Sequence, residues 1–171
     1  MKAEIHPSEK VMINGIDIRL GMTFSEVEVL IGAGQKIGNR YYYFNGETAI
    51  DYKEEKVEFI EFTGGVDGSC KPVIYGVSAF DTHAEKLLEI LKAHTAGRFR
   101  DTEGGHCVLF PDISIGLYRE AVPTDIEEMI EEAKAFGNPM RADEIEYESK
   151  RANYFATIGV GIAGYYNDKI E

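Results

Sequence analysis

The side chains that could carry out chemistry do not stand at spacings that would let them act together. None of the four histidines is four residues from another, and neither cysteine begins a C-x-x-C motif, so we predict no metal site. His106 and Cys107 are adjacent, but neighbours on a strand point to opposite faces, which disfavours a cysteine–histidine hydrolase. The sequence contains no P-loop, no G-x-S-x-G and no H-E-x-x-H. We therefore predict no catalytic residues and a protein that is not an enzyme.

One string, GVGIAG at 159–164, matches the G-x-G-x-x-G fingerprint of dinucleotide-binding folds. That fingerprint needs a helix directly after it and an acidic residue about 20 positions further on. The sequence reaches only Glu171, so neither feature fits. We therefore expect no cofactor, and we interpret the glycines as small residues where a strand and a helix pack closely.

Acidic side chains dominate the composition. The 30 Asp and Glu residues against 18 Lys and Arg give a net charge of −12. Such a charge disfavours nucleic acid and anionic membranes as partners and favours a cationic protein. The alternative is that acidity only keeps the protein in solution. Ten of the 30 acids lie in residues 120–148, beside only Lys134 and Arg141, and a second acidic stretch covers residues 47–61.

We predict that residues 120–148 form a docking surface for a basic partner, with tyrosines as aromatic anchors. The alternative is a solvated helix face. In the run Tyr41-Tyr42-Tyr43, at least one ring of a half-buried strand must face outward. The predicted partner-binding residues are Glu127, Glu128, Glu131, Glu132, Asp143, Glu144, Glu146, Tyr147, Tyr41 and Tyr43.

Hydrophobic periodicity and turn signals predict the elements that would position these residues. Thr23 with Glu26, and Thr82 with Glu85, match the capping-box pattern at the start of a helix. Asn45-Gly46 between apolar runs predicts a hairpin. The predicted helices are 24–31, 82–95 and 123–136; the predicted strands are 11–20, 41–44, 48–52, 57–62, 72–80, 113–118 and 154–166, with a hairpin in 99–110 turning at Gly104-Gly105.

The helix over 123–136 has the clearest pattern in the chain. Its apolar stripe consists of Ile126, Met129, Ile130, Ala133 and Phe136. We expect Ile126, Met129, Ile130 and Phe136 to be buried. The charged segment 141–152 fits either a helix or a surface arm.

The order of the elements predicts one α+β domain over residues 1–171. Residues 12–62 and 73–118 share the order strand, helix and three strands, which suggests a degenerate duplication, although three-stranded meanders are common. The acidic helix and a C-terminal strand follow in 120–166. We expect an antiparallel sheet of six or more strands with helices packed on it.

The compartment is predicted from what the sequence does not contain. There is no apolar run near Met1 that would suggest a secretory signal, and no stretch approaches the ~18 apolar residues of a membrane span. Cys70 and Cys107 are too few to form a disulfide framework. We expect a cytoplasmic protein with reduced thiols and no membrane partner.

Two segments resemble a known class of proteins. LGMTFSEVEVLIG at 20–32 and TIGVGIAGYY at 157–166 are similar to segments of bacterial immunity proteins encoded beside polymorphic toxins, including contact-dependent growth inhibition systems. The class that inhibits EndoU-type RNase toxins is the most similar. Members of this class act by binding one toxin, so the resemblance assigns no catalytic residue. It implies a cytosolic protein that binds a cationic toxin nuclease and blocks its active site.

Three functions therefore stand as hypotheses. The first is an immunity protein against a cationic nuclease. The second is another acidic binding module, either an adaptor or an inhibitor of a non-nuclease enzyme. The third is a small enzyme whose site the sequence does not reveal, which a deep pocket around His106 or Cys107 would favour.

Overall fold

The computed structural model describes residues 1–167, which form thirteen strands and four helices. The strands are β1 Ala3–His6, β2 Lys10–Ile13, β3 Ile16–Arg19, β4 Gln35–Ile37, β5 Arg40–Tyr43, β6 Thr48–Lys53, β7 Lys56–Phe62, β8 Val73–Ile74, β9 Val77–Ser78, β10 Arg100–Asp101, β11 Cys107–Phe110, β12 Ile115–Tyr118 and β13 Thr157–Gly161. The helices are α1 Phe24–Ile31, α2 Ala84–Ala93, α3 Pro123–Ala135 and α4 Ala142–Ala152.

The strands form two sheets. The larger has eight strands in the order β10-β11-β12-β13-β7-β6-β5-β4, and every neighbouring pair is antiparallel. The smaller has the order β3-β2-β1-β8-β9, in which β1 and β8 are parallel. The predicted α+β class, with an antiparallel sheet of six or more strands and helices packed on it, is confirmed.

One hydrophobic core joins the two sheets to the first two helices. Ile13 and Ile18 of the small sheet, Val27 of α1, Leu87 of α2 and Ile60 of the large sheet belong to the same buried cluster. The alternation of apolar residues along each strand places these side chains on the inner faces. The opposite, outer face of the large sheet is therefore not part of this core.

Two predicted single strands, 11–20 and 72–80, are wrong, because each is a hairpin of two short strands. The first turns at Asn14-Gly15 and the second at Tyr75-Gly76, and all four residues have positive φ. Two-residue turns with this geometry match the twist of the flanking strands. Asn14-Gly15 is a recognised signal that the alternation around it obscured, whereas a tyrosine rarely adopts this conformation.

The two helix starts were predicted with different success. Thr23 caps α1 in the expected capping box: its hydroxyl accepts from the Glu26 amide and the Glu26 carboxylate accepts from the Thr23 amide. The predicted second box at Thr82 is wrong. The helix begins at Ala84, and the Ala84 amide donates to the Asn153 carbonyl at 2.9 Å. A carbonyl distant in sequence thus accepts from the first amide of the helix, in place of a cap made by neighbouring side chains.

The large sheet has an approximate two-fold arrangement about the β7–β13 pair. Glu61 lies opposite Gly159, with Phe62–Ile158 and Ile60–Val160 on either side. Two long-range backbone hydrogen bonds of the first half also have counterparts in the second. The bond from the Phe24 amide to the Glu55 carbonyl (2.8 Å) corresponds to that from the Ala84 amide to the Asn153 carbonyl (2.9 Å). The bond from the Thr63 amide to the Glu47 carbonyl (3.1 Å) corresponds to that from the Gly161 amide to the Ser114 carbonyl (2.9 Å). In this arrangement β13, outside the predicted repeat 73–118, lies where β7 lies in the first half. The duplication itself stays a prediction.

The glycines of GVGIAG make room for aromatic rings, not for a helix as we had interpreted them. On the outer face of the large sheet, a Cβ on Gly159 would collide with the Phe59 ring, and one on Gly161 with Tyr165. Phe59 and Tyr165 stack with ring centroids 4.7 Å apart. The small residues therefore let an aromatic layer lie directly on the backbone of β13.

No helix within residues 1–167 is long and apolar enough to cross a bilayer. Both cysteines are free thiols. Cys70 is buried, and burial raises the pKa of its thiol to about 11.

Replacing Gly159 with Ala should destabilise the protein, although Ala normally suits a strand better than Gly. The added methyl group overpacks against the Phe59 ring, which costs about 1–3 kcal/mol in the free energy of unfolding. Urea denaturation measures this cost, and the control is the same change in a Phe59→Ala background, where the ring is absent. Equal costs in both backgrounds would contradict the packing argument.

Candidate partner-binding surface

The acidic segment forms a pair of contacting helices, α3 and α4, inserted between β12 and β13. The segment 141–152, which fitted either a helix or an arm, is the helix α4. Its first turn is capped when the Glu144 carboxylate accepts from the Arg141 amide at 3.0 Å. Because β12 and β13 are neighbours in the sheet, the chain leaves and re-enters the sheet at one place. We call this element the α3–α4 hairpin.

Arg119 fastens the base of the α3–α4 hairpin. Its side chain is buried, 6% exposed, and donates to the carbonyl of Ala152 at the end of α4 and to the carbonyl of Gly105, both at 2.9 Å. The last carbonyls of a helix carry partial negative charge, so they suit a cation. The guanidinium also lies 5.4 Å from the centroid of the Phe155 ring. Burial lowers the pKa of Arg119, while nearby carboxylates oppose that shift.

His106 and Asp125 hold the start of α3. The Asp125 carboxylate accepts from the Val122 amide and contacts His106 Nε2, each at 2.8 Å, and His106 Nδ1 lies 2.7 Å from the Glu103 carbonyl. Only an imidazolium can donate from both ring nitrogens. The bond to the Glu103 carbonyl accordingly raises the pKa of His106 against a smaller effect of burial, and Asp125 adds to it. The Val122 amide lowers the pKa of Asp125.

Away from this base the hairpin is exposed, and the predicted burial of the α3 stripe is wrong for two of its members. Ile126, near the base, is 3% exposed, but Met129 is 44% exposed and Phe136 is 87% exposed. Ile130 and Ala133 are partly buried. The stripe predicted a helix lying flat on the sheet, whereas α3 packs against α4 and Ile126, near its start, is its buried residue. A large apolar side chain thus stands in water beside acidic ones.

The predicted acidic residues lie on this hairpin with their carboxylates in solvent. Glu131 pairs with Lys134 at 2.7 Å, and Arg141 pairs with Asp143 and Glu144. Within residues 1–167, no ion pair reaches Glu127, Glu128, Glu132 or Glu146. The hairpin that exposes Phe136 therefore also carries uncompensated negative charge.

The three tyrosines predicted as partner-binding residues differ in exposure and in position. Tyr147 of α4 is 47% exposed, and its hydroxyl donates to Asp67 at 3.3 Å, which ties α4 to the loop after β7. Tyr43 is a correction: its ring is buried against Gly34 and its hydroxyl lies 3.0 Å from that of Tyr52, so it cannot contact a partner. Tyr41 is half-buried on β5, in the other half of the sheet, and is not brought together with the hairpin.

The second acidic stretch, 47–61, is largely compensated within the protein. Arg40 bonds to Asp51 at 2.8 Å and to Glu61 at 2.6 Å, and the Glu47 carboxylate accepts from the Ser69 hydroxyl at 2.6 Å. These carboxylates organise the sheet and the adjoining loop. The two stretches, both acidic in composition, thus differ in how much uncompensated charge they carry.

Arg119 and the exposure of Phe136 are the features that sequence reasoning missed. Arg119 is one basic residue at a strand end, with no local signal that it is buried.

Among residues 1–167 no group of His, Cys, Asp and Glu is placed to hold a metal ion. Comparisons with family models, curated proteins and solved structures find no match.

Replacing Arg119 with Met should loosen the α3–α4 hairpin. The carbonyls of Gly105 and Ala152 lose their donor, and an unsatisfied buried acceptor costs about 1–3 kcal/mol. Urea denaturation should show that loss of stability, and hydrogen exchange should show reduced protection in α4 beyond the global change. The control is Arg141→Met, whose exposed ion pairs contribute at most ~1 kcal/mol. Equal effects of the two changes would remove Arg119 from this role.

Proposed function

We propose that this protein is a cytoplasmic immunity protein that binds a cationic toxin nuclease and blocks its active site. The α3–α4 hairpin is the proposed contact surface. The observation that carries the proposal is the exposure of Phe136 on a hairpin whose glutamates Glu127, Glu128 and Glu132 have no ion-pair partner within the described residues. The resemblance of residues 20–32 and 157–166 to immunity proteins supports the choice of partner.

The carboxylates and the exposed apolar side chains of the hairpin act at different stages of binding. A nuclease must attract the phosphates of RNA, so its active-site groove is cationic. Unpaired carboxylates raise the rate of encounter with such a groove and occupy the sites that phosphates would fill. Charge alone gives a short-lived complex in salt, because exposed charges are screened. Burial of Phe136 and Met129 would then slow dissociation.

The partner is identified by pull-down of the protein encoded beside this one, followed by a nuclease assay. Expected is a stoichiometric complex and loss of RNase activity. A complex with a protein that is not a nuclease would instead support an inhibitor or adaptor of another kind. The absence of any complex with the neighbouring product would contradict the immunity proposal.

Charge reversal of Glu127, Glu128, Glu131 and Glu132 to Lys should slow association with this partner. Electrostatic steering raises on-rates by about 10–10³-fold, so we expect at least a tenfold fall at low salt. Stopped flow measures the rate, and the wild-type rate should fall steeply with salt while the reversed variant's should not. The control reverses four exposed acidic residues outside the hairpin and its base, Glu4, Glu9, Asp81 and Glu89, which changes the net charge equally. Equal slowing by both variants would show that net charge alone sets the association rate. An unchanged association rate for the hairpin variant would show that the cluster is only a solvated helix face.

Phe136→Ala should act on the lifetime of the complex. A buried aromatic anchor contributes about 2 kcal/mol or more, so the off-rate should rise at least tenfold with little change in on-rate or salt dependence. Since Phe136 is 87% exposed, the urea midpoint should not move. The matched control is Val29→Ala on α1, where the side chain is 85% exposed. An unchanged off-rate for Phe136→Ala would place the anchor elsewhere.

A further inference from the structure

Three aromatic rings of the first half of the sheet meet at the start of α1. Phe24, Tyr41 and Tyr52 are all half-buried, and their ring centroids are 4.7, 5.2 and 5.4 Å apart. Phe24 and Tyr52, and Tyr41 and Tyr52, meet edge to face. Together with Lys36, Asn39 and Glu55 the rings line an open cavity of about 510 Å³, which we call the aromatic cavity.

The aromatic cavity already holds a cation belonging to the protein. The Lys36 ammonium lies 5.5 Å from the centroid of the Tyr41 ring, within the range of cation–π attraction. Lys36 is exposed, and no ion pair within residues 1–167 fixes its position. Strand β4, which carries it, is a three-residue edge strand with every residue exposed. The ammonium is therefore free to leave the ring face.

Glu55 supplies a carboxylate at the rim of the cavity in an unusual turn. Glu54 and Glu55 link β6 to β7, and both have positive φ (50° and 62°). Non-glycine residues in this conformation cost free energy, and turns of this kind favour Asn-Gly. The turn nevertheless places the exposed Glu55 at the aromatic cavity, next in the chain to the exposed Glu54.

The second half of the sheet shows what can cover this place. The Glu55 carbonyl, which accepts from the first amide of α1, corresponds to the Asn153 carbonyl, which accepts from the first amide of α2. Asn153 ends the α3–α4 hairpin. The second half thus has the α3–α4 hairpin where the first half has only the Glu54-Glu55 turn.

We infer that the aromatic cavity is a binding site for an alkylammonium group, the side chain of a lysine on the protein's cationic partner. The incoming ammonium replaces Lys36 over the Tyr41 ring, with the Glu55 carboxylate beside it. The assignment of that lysine to the partner rests on the proposed function. The affinity of the cavity for an ammonium group does not.

The test uses Nα-acetyl-lysine methylamide as probe and its norleucine counterpart, which lacks the ammonium, as control. NMR titration of the whole protein follows the ring signals of Tyr41 and Tyr52. The lysine probe should bind saturably and about fivefold more tightly than the norleucine one. Lys36→Ala should raise the lysine affinity at least twofold, because the competing internal cation is gone, and Tyr41→Leu should lower it about fivefold. Lys36 is exposed, so the first variant remains informative even where Tyr41→Leu fails to fold.

Equal binding of the two probes would overturn the site, as would ring shifts absent from Tyr41 and Tyr52 or a weaker Lys36→Ala variant. The variant with Glu127, Glu128, Glu131 and Glu132 reversed should bind the probe as wild type does, since the hairpin lies in the other half of the sheet. Probe binding without any nuclease partner would uphold the site and contradict the proposed function. A nuclease complex without probe binding would contradict the site and uphold the proposed function.

Discussion

The pairing of β13 with β7 is the contact on which the rest of the structure depends, because among the described strands it alone joins the two halves of the large sheet. Each half is a meander of sequence-neighbouring strands, whereas β13 meets β7 about 100 residues away. Closing so long a loop is entropically unfavourable until the strand gains partners on both sides. The glycines of β13 serve this position, since they let the strand lie centrally with aromatic rings directly on its outer face.

The α3–α4 hairpin is an addition to the large sheet that the strand order does not require. It joins β12 to its sheet neighbour β13, whereas the two-residue turn Glu54-Glu55 joins the corresponding neighbours β6 and β7. Arg119 and the His106–Asp125 contact hold the two ends of the hairpin, so its base is fixed to the sheet while its far end is exposed. An element attached in this way can expose apolar residues without loss of packing in the core. The ordinary requirement that an apolar helix face be buried is met here only in the first turns of α3.

Local signals predicted local structure well. The capping box at Thr23 and the hairpin at Asn45-Gly46 are where the sequence placed them, because the residues that make these bonds are neighbours in the chain. The left-handed Tyr75 has no such signal, so its hairpin was predicted as one strand. The acidic surface was found from composition, but the burial of Arg119 depends on the carbonyls of Gly105 and Ala152, 14 and 33 residues away in the sequence. Periodicity does not encode such long-range contacts, and the apolar stripe alone predicted that the exposed Phe136 would be buried.

The free protein holds α3 in an electrostatically unfavourable state. Glu127 with Glu131, and Glu128 with Glu132, stand four residues apart on the helix, a spacing at which like charges destabilise it by about 0.2–0.5 kcal/mol per pair. Lys134 offsets only part of this, and the carboxylates of Glu131 and Glu132 also lie toward the negative end of the helix dipole. Attachment at the base keeps the helix formed despite this repulsion. A cationic surface docked against the hairpin would neutralise these charges, so relief of repulsion within α3 would add to the attraction between the partners.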